Sequence, residues 1–465
     1  MTQLLVNNLL SRLCEEHEYT QYDYRYLKVI DTQNVLLCLM KAKEFSKSDT
    51  EALLNLERQI NITGKIVTRY NKKWKPYKSS KALPHIWIDI FTVLLYKHFL
   101  HIKSINTIDV ELMKVINSVL KCLDLATTSW LKKGSELYKS IGDDFERIAN
   151  KISQHEYAFN NEFIDNSRNF NKSLVVLPIT VLFWEGPIAR AYLATIHSMG
   201  FEPKKIIHLV ASHEIVTKRP VGKLFPETLR KKNAAIIQKQ RIHYWPKKIA
   251  KYQPELKKTI ANSIIEDYQF SQDILDNANE LQPLTYFCSN VETLLIKNLR
   301  DTLLTERLKQ LPESTLLYTG GGMVPKQLLD ISNIKLIHIH PGFLPRLRGA
   351  DCTLWSVLMY DTTSASCFFM DDDIDIGNII LASWLPQTSF KISHNKYDSK
   401  TLYRSIYSYF DPWVRSFVLR QVIKKYSGTN FYAISTTKQV KDSGTTLHFM
   451  HNKIKDVVMD KLFSH

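Results

Sequence analysis

Residues 337–351 read IHIHPGFLPRLRGAD. Two histidines, His338 and His340, close an apolar run and are followed at once by Pro-Gly, a second proline, Arg346, Arg348 and Gly349. Histidine is the side chain whose proton comes and goes near neutral pH, so a pair one residue apart is a candidate for proton transfer. An arginine beside such a site can hold a carboxylate or phosphate through two parallel hydrogen bonds. Arg348 is the better candidate for that work, and Arg346 suits solvated surface equally well. Taken alone, a histidine on a strand is usually satisfied structure, and the neighbouring sequence decides between the two uses.

Glycine placement marks the same region. The chain has 14 glycines, and five of them, Gly320, Gly321, Gly322, Gly342 and Gly349, fall between 320 and 349. Glycine is favoured where backbone takes positive φ or approaches a ligand closely. The GGG run and the HPG run each follow an apolar strand-like stretch, STLLYT and IKLIHIH. In a parallel sheet both would open at the carboxyl edge of the strands, where ligands gather.

The elements that carry these turns alternate. SLVVLPITVLFW (173–184) reads as a strand ending in Glu185, Gly186 and Pro187, with a helical pattern to Gly200 and a second strand, KKIIHLVAS (204–212). That is the opening of a parallel α/β sheet. The alternation resumes at LTYFCS (284–289), expected as a strand, and VETLLIKNLRDTLLTERLKQL (291–311), expected as a helix. ADCTLWSVLM is expected to be a helix that Asp351 caps. The division expected is an all-α domain over 1–165, with apolar spacing of three and four residues, then a polar linker. An α/β domain over 172–428 follows, interrupted by a basic insertion at about 214–283. A short strand-helix tail occupies 429–465.

Composition narrows the partners. Of the formal charge of +16, residues 218–258 supply +11, from 13 Lys/Arg against Glu227 and Glu255. Such a block suits an anionic partner, whether a phosphate-bearing small molecule or nucleic acid, and it equally suits a solvated face. Tyr244, Trp245 and Tyr252 lie among these charges and leave stacking open. The most apolar stretch, 82–102, carries Asp89, Lys97 and three histidines, so a membrane span is not expected. The first residues lack the pattern of a signal peptide. Six cysteines stand singly, with no CxxC pair, so neither a zinc site nor a disulfide framework is indicated and a cytoplasmic protein without metal is expected.

HxHPGFLPRLRGAD together with SCFFMDDDIDIGNII (366–380) resembles the two-part signature of the folate-dependent formyltransferases. This family contains methionyl-tRNA, glycinamide-ribonucleotide and amino-sugar formyltransferases. The resemblance covers about 174–213 and 284–428, and it implies a Rossmann-like α/β fold with 10-formyltetrahydrofolate as formyl donor. By position it implies that His340 and Asp375 are the catalytic histidine and aspartate. Gly321, Gly322, Met323, Leu344, Asp372, Asp373 and Gly377 are implied on the donor side, and Gly186, Pro187 and Arg348 on the acceptor side. Where the family has asparagine this chain has His338, counted here as the third catalytic position, although an imidazole differs from an amide in reach and in where it carries hydrogen.

The reaction so implied is attack of an amine on the formyl carbon. The acceptor expected is a small, anionic amine such as an amino-sugar nucleotide. The tail of 37 residues is too short for the barrel that helps methionyl-tRNA formyltransferases hold tRNA, so nucleic acid stays a secondary expectation through 218–258. The alternative is an altered or inactive relative that binds folate or nucleotide and a protein partner. Oligomeric state is not legible.

Overall fold

The computed structural model describes residues 174–440 and 444–463, together with Met113 and Asn117. The all-α domain expected over 1–165 lies outside the described residues. The chain divides into two compact units, Met1–Gln154 and His155–His465, and the described residues belong almost wholly to the second.

The sheet begins with β1 (Val175–Trp184), where Leu177, Ile179, Val181, Leu182 and Phe183 are at most 1% exposed. A strand covered on both faces has no polar alternation, which is why it reads as an apolar run. Pro187 opens α1 (Pro187–Ser198) in the first turn, where its missing N–H has no partner to lose, and β2 (Phe201–Ala211) follows. The basic segment folds as α2 (Glu227–Ile242), α3 (Tyr244–Tyr252), α4 (Pro254–Tyr268) and α5 (Gln272–Asn279). Next come a single turn α6 (Leu284–Phe287), β3 (Val291–Ile296), α7 (Thr302–Lys309), β4 (Ser314–Tyr318), α8 (Lys326–Leu329) and β5 (Ile334–His340). The remainder is β6 (Leu347–Gly349), α9 (Cys352–Tyr360), β7 (Ser364–Phe369), β8 (Ile379–Trp384), α10 (Ser399–Ser405), α11 (Asp411–Tyr426), β9 (Thr445–Leu447) and α12 (Asn452–Leu462).

Seven strands form one α/β sheet in the order β3-β2-β1-β4-β5-β7-β8. The first five are parallel, and β7 and β8 are antiparallel additions. One face packs Leu182, Ile207, Leu209, Leu304, Leu308, Leu316 and Leu336 into a core. A separate two-stranded pair joins β6 to β9.

Two sequence expectations fail locally. LTYFCS forms the turn α6, and the strand is the following stretch, VETLLI, which pairs with β2 from Val291 opposite Ile206 to Ile296 opposite Ala211. As an edge strand β3 is only partly covered, and its mixture of Glu292 with Leu294 and Leu295 fits helical spacing as well as alternation. Between α10 and α11 the chain makes a wider π turn at Ile406–Phe410, where Pro412 in the first turn of α11 cannot donate a helical hydrogen bond.

The carboxyl end of β1 is locked by buried charge. Glu185 receives Arg190 through Nε at 2.8 Å and through a terminal nitrogen at 2.6 Å, and His243 at 2.9 Å. Burial alone would raise the Glu185 pKa, but Arg190 and His243 hold it well below the carboxylate range. His243 stands between α2 and α3, so this cluster pins the basic helices to the sheet edge.

His208, on β2, packs edge-on to Phe183 and is pushed by burial to a pKa of about 4. An unfolded histidine takes up its proton near pH 6.5. The contribution of His208 is therefore complete above pH 6.5 and declines as pH falls toward 4, by on the order of 2–3 kcal/mol. Thermal unfolding followed across that window should lose less stability in His208→Leu than in the parent chain; parallel curves would show that His208 is not the group being protonated.

Candidate active site

β5 places the two histidines. Residues two apart on a strand project to one face and stand about 7 Å from each other, so His338 and His340 share the last turn of the sheet before Pro341. His340 is 3% exposed, and its ring is held at both nitrogens. Nε2 lies 3.0 Å from the Leu347 carbonyl, and Nδ1 lies 3.3 Å from Asp375 Oδ2. A carbonyl only accepts, so Nε2 carries hydrogen. The turn that brings Leu347 back needs Gly342: a Cβ there would sit 2.7 Å from His340 Nε2 and 2.6 Å from the Leu347 oxygen.

Asp375 reaches this point by an indirect route. β7 runs antiparallel to β5, with Ser366 opposite His340 and Phe369 opposite Ile337. The loop after Phe369 thus leaves three residues down the strand from His340 and must fold back. It does so with Asp375 in the left-handed region, φ 57°, a conformation that aspartate tolerates better than most side chains. Gly377 allows the return, since a Cβ there would lie 1.6 Å from the Phe369 oxygen. Asp375 Oδ2 also accepts the Gly349 N–H at 2.9 Å. Burial lowers the His340 pKa, Asp375 pulls it upward, and the nearby Arg415 lowers it further.

His338 is half-buried and differently held. Its Nδ1 lies 3.1 Å from the carbonyl of Tyr318, one residue beyond the last β4–β5 pair, Leu317 with Ile337. Burial, aided by Arg415, brings its pKa to about 4, so it is neutral at pH 7. Arg415 projects from α11, donates to the Ile339 carbonyl between the two histidines at 2.8 Å, and is fixed by Asp411 at 2.8 Å. The signal for it was a single arginine in the apolar run WVRSFVL.

Three residues of the tail complete the frame. Gln439, 7% exposed, donates from Nε2 to the carbonyls of Asp375 at 3.0 Å and Gly377 at 2.6 Å. Its Oε1 accepts from Arg348 at 3.1 Å. Thr445 and Leu447 pair with Leu347 and Gly349, and the glycine's φ of +97° and its lack of a Cβ admit the Leu447 carbonyl. Nothing in the sequence pattern pointed to Gln439.

The remaining sequence candidates divide. Gly321, Gly322 and Met323 are exposed on the loop between β4 and α8, and Asp372 and Asp373 are exposed on the loop that carries Asp375. Lys326 bridges these two loops through an ion pair with Asp372. Leu344 is instead core, 1% exposed, with its N–H on Ser366 Oγ and its side chain against Phe368 and Ile379. Arg348 is 2% exposed and engaged by Gln439 and the Val440 carbonyl, so its guanidinium faces protein where a ligand contact was expected. Gly186 precedes α1, and Pro187 lines a cleft with His243, Lys247, Lys257, Tyr409 and Trp413. Asp351 stands at the N-terminus of α9 but does not cap it; its carboxylate accepts from Tyr403 at 2.8 Å, Tyr407 at 2.7 Å and the Met450 N–H at 2.8 Å. Two tyrosines and one backbone N–H of the tail supply a better donor set than the helix turn.

A family profile described as formyl transferase matches residues 233–409, a span that contains both histidines and Asp375 and begins inside the basic segment. The stretch that carries both histidines and Asp375 is thus similar to the formyl transferases. Methionyl-tRNA formyltransferase of Syntrophus aciditrophicus is 30% identical over 103 residues, which are 21% of this chain and 33% of that protein. The enzyme of the same name from Flavobacterium johnsoniae is 32% identical over 96 residues, 20% of this chain and 30% of that protein. The chain thus spans about a third of the length of the curated relatives it matches. Among solved structures, a 4-N formyltransferase from Francisella tularensis aligns over 38% of this chain and 69% of its own, at 16% identity and a TM-score of 0.26.

The Gln439 contacts generate a test in this α/β unit. Gln439→Ala is expected to lower unfolding free energy by about 1–3 kcal/mol, the usual range for buried acceptors left without a donor. Gln439→Glu should cost at least as much, because a carboxylate cannot donate to the two carbonyls. Urea midpoints equal to that of the parent chain in both variants would show that the tail does not hold the Asp375 loop.

Proposed function

We propose that the formyltransferase domain transfers a formyl group from 10-formyltetrahydrofolate to the amine of a small, phosphorylated acceptor of the amino-sugar nucleotide type. The observation that carries this reading is the meeting of His340 and Asp375, 35 residues apart in sequence, at one mouth of the sheet with 3.3 Å between them. A histidine braced by a carboxylate is the recurring device for moving protons in acyl transfer.

The surroundings fit the donor. At Gly321 and Gly322 no atom lies within 4 Å of where a Cβ would stand, so a flat ring has room to approach the backbone. Met323 is 68% exposed beside them and offers an apolar contact, and Asp372 and Asp373 stand on the facing loop. In this reading these residues hold the folate, while His338, His340 and Asp375 act on the reacting groups. The phosphate side of the acceptor is assigned to the cleft of Pro187, where Lys247 and Lys257 supply positive charge. The buried Arg348 is assigned to support of the site.

The test is release of tetrahydrofolate from 10-formyltetrahydrofolate in the presence of a panel of amines. Amino-sugar nucleotides should be formylated, and the same amino sugars without phosphate should react at least tenfold more slowly at equal concentration. Failure of every amine to consume the donor would refute the function; equal rates with and without phosphate would remove only the acceptor class.

A further inference from the structure

The two histidines of β5 are not equivalent, and the difference bears on which of them moves a proton. Both nitrogens of His340 are occupied, one by a carbonyl and the other by a carboxylate. His338 is bonded only through Nδ1. Because the Tyr318 carbonyl can only accept, the hydrogen of the neutral ring resides on Nδ1, and Nε2 is left as a bare lone pair with no partner among the described residues. His338 is also the more open of the two, half-buried where His340 is 3% exposed.

The surrounding groups keep this tautomer neutral. Tyr318 of β4 lies with its ring 6.0 Å from the imidazole, and Phe368 of β7 presents its ring edge-on at 6.1 Å. Arg415 of α11 places a fixed positive charge beneath the pair through its bond to Ile339. His340 opposes protonation of His338, while the hydrogen bond to the Tyr318 carbonyl and the charge of Asp375 favour it without offsetting burial and Arg415. A donor at this position would need a second proton, which the arginine and the burial disfavour.

We propose that His338 Nε2 is the acceptor for the proton of the attacking amine, with the Tyr318 carbonyl fixing the tautomer and His340 serving as a braced neighbour. The assignment rests on the formyl-transfer reading above. As the amine nitrogen bonds to the formyl carbon, the carbonyl electron pair moves to oxygen and the N–H proton passes to Nε2. When the carbonyl reforms, the bond from the formyl carbon to N10 of the folate breaks and N10 takes that proton. His338 returns to its starting state, and atoms and charge balance over the cycle. An imidazolium disfavoured by its surroundings is a strong acid, which suits it to protonating a departing nitrogen.

The polarity of His338 is the point to test. His338→Asn, which replaces the lone pair with an amide, should lower kcat by about 100-fold or more, the scale of a lost general base, with little change in KM for the donor. Added imidazole should restore part of the rate in His338→Gly, and kcat of the parent enzyme should stay level through neutral pH and fall as pH approaches 4. A variant His338→Asn as active as the parent, or more active, would overturn the assignment by showing that the position works as a donor. Nitrogen-15 NMR of the parent protein gives a readout that survives any folding defect in the variants: hydrogen on Nδ1 of His338 is expected, and hydrogen on Nε2 refutes the proposal. If the parent chain transfers formyl but carries the Nε2 tautomer, only the proton assignment falls. If it transfers none, the function falls and the assignment with it.

Discussion

One oxygen atom ties the site together. Asp375 Oδ2 meets the His340 ring and accepts the Gly349 N–H, and the backbone of the same residue is held by Gln439. Strand β5, the loop after β7, the turn at β6 and the tail are all fixed relative to that carboxylate. A charge placed so far inside is stable only when its lone pairs are used, and here each constraint on it is also a constraint on the imidazole. The glycines at 342 and 377 are what this geometry requires, because any side chain at either position would occupy space taken by a carbonyl or by the ring.

The second organising element is a cation. Arg415 lies under the strand that bears both histidines, satisfied by Asp411 and the Ile339 carbonyl. In a partly water-excluded pocket its field opposes charging of both imidazoles, while Asp375 favours it. The backbone carbonyls of Tyr318 and Leu347 each require hydrogen on the nitrogen that faces them, Nδ1 of His338 and Nε2 of His340. The distinction between them is thus made by main chain rather than by side-chain identity.

Much of this was legible in the residues. The apolar runs of β1, β4 and β5 announced strands because central strands are covered on both faces, and the clustered glycines announced the turns at their ends. What was lost is of a different kind. β3 was misplaced because an edge strand carries a mixed pattern that suits either period. The antiparallel course of β7 follows from pairing partners, which no single segment encodes. Arg348 and Leu344 matched the family motif, yet their roles depend on residues of the tail and of β7 that approach them from far along the chain. Asp351 had the right type for a cap and found stronger donors in two tyrosines and a backbone N–H. The basic segment, read in sequence as a charged insertion with helical pieces, is an ordered set of helices pinned by the buried Glu185 cluster.

The pairing of β9 with β6 also sets an order of assembly. Synthesis proceeds from the amino end, so the histidines and their carboxylate are made well before Gln439, Thr445 and Leu447, which brace the loops around them. A chain made only as far as α11 holds every strand of the seven-stranded sheet but lacks the residues that brace the Asp375 loop and Leu347. The loops that hold the two histidines and Asp375 therefore gain this bracing only after the strands of the sheet have been made.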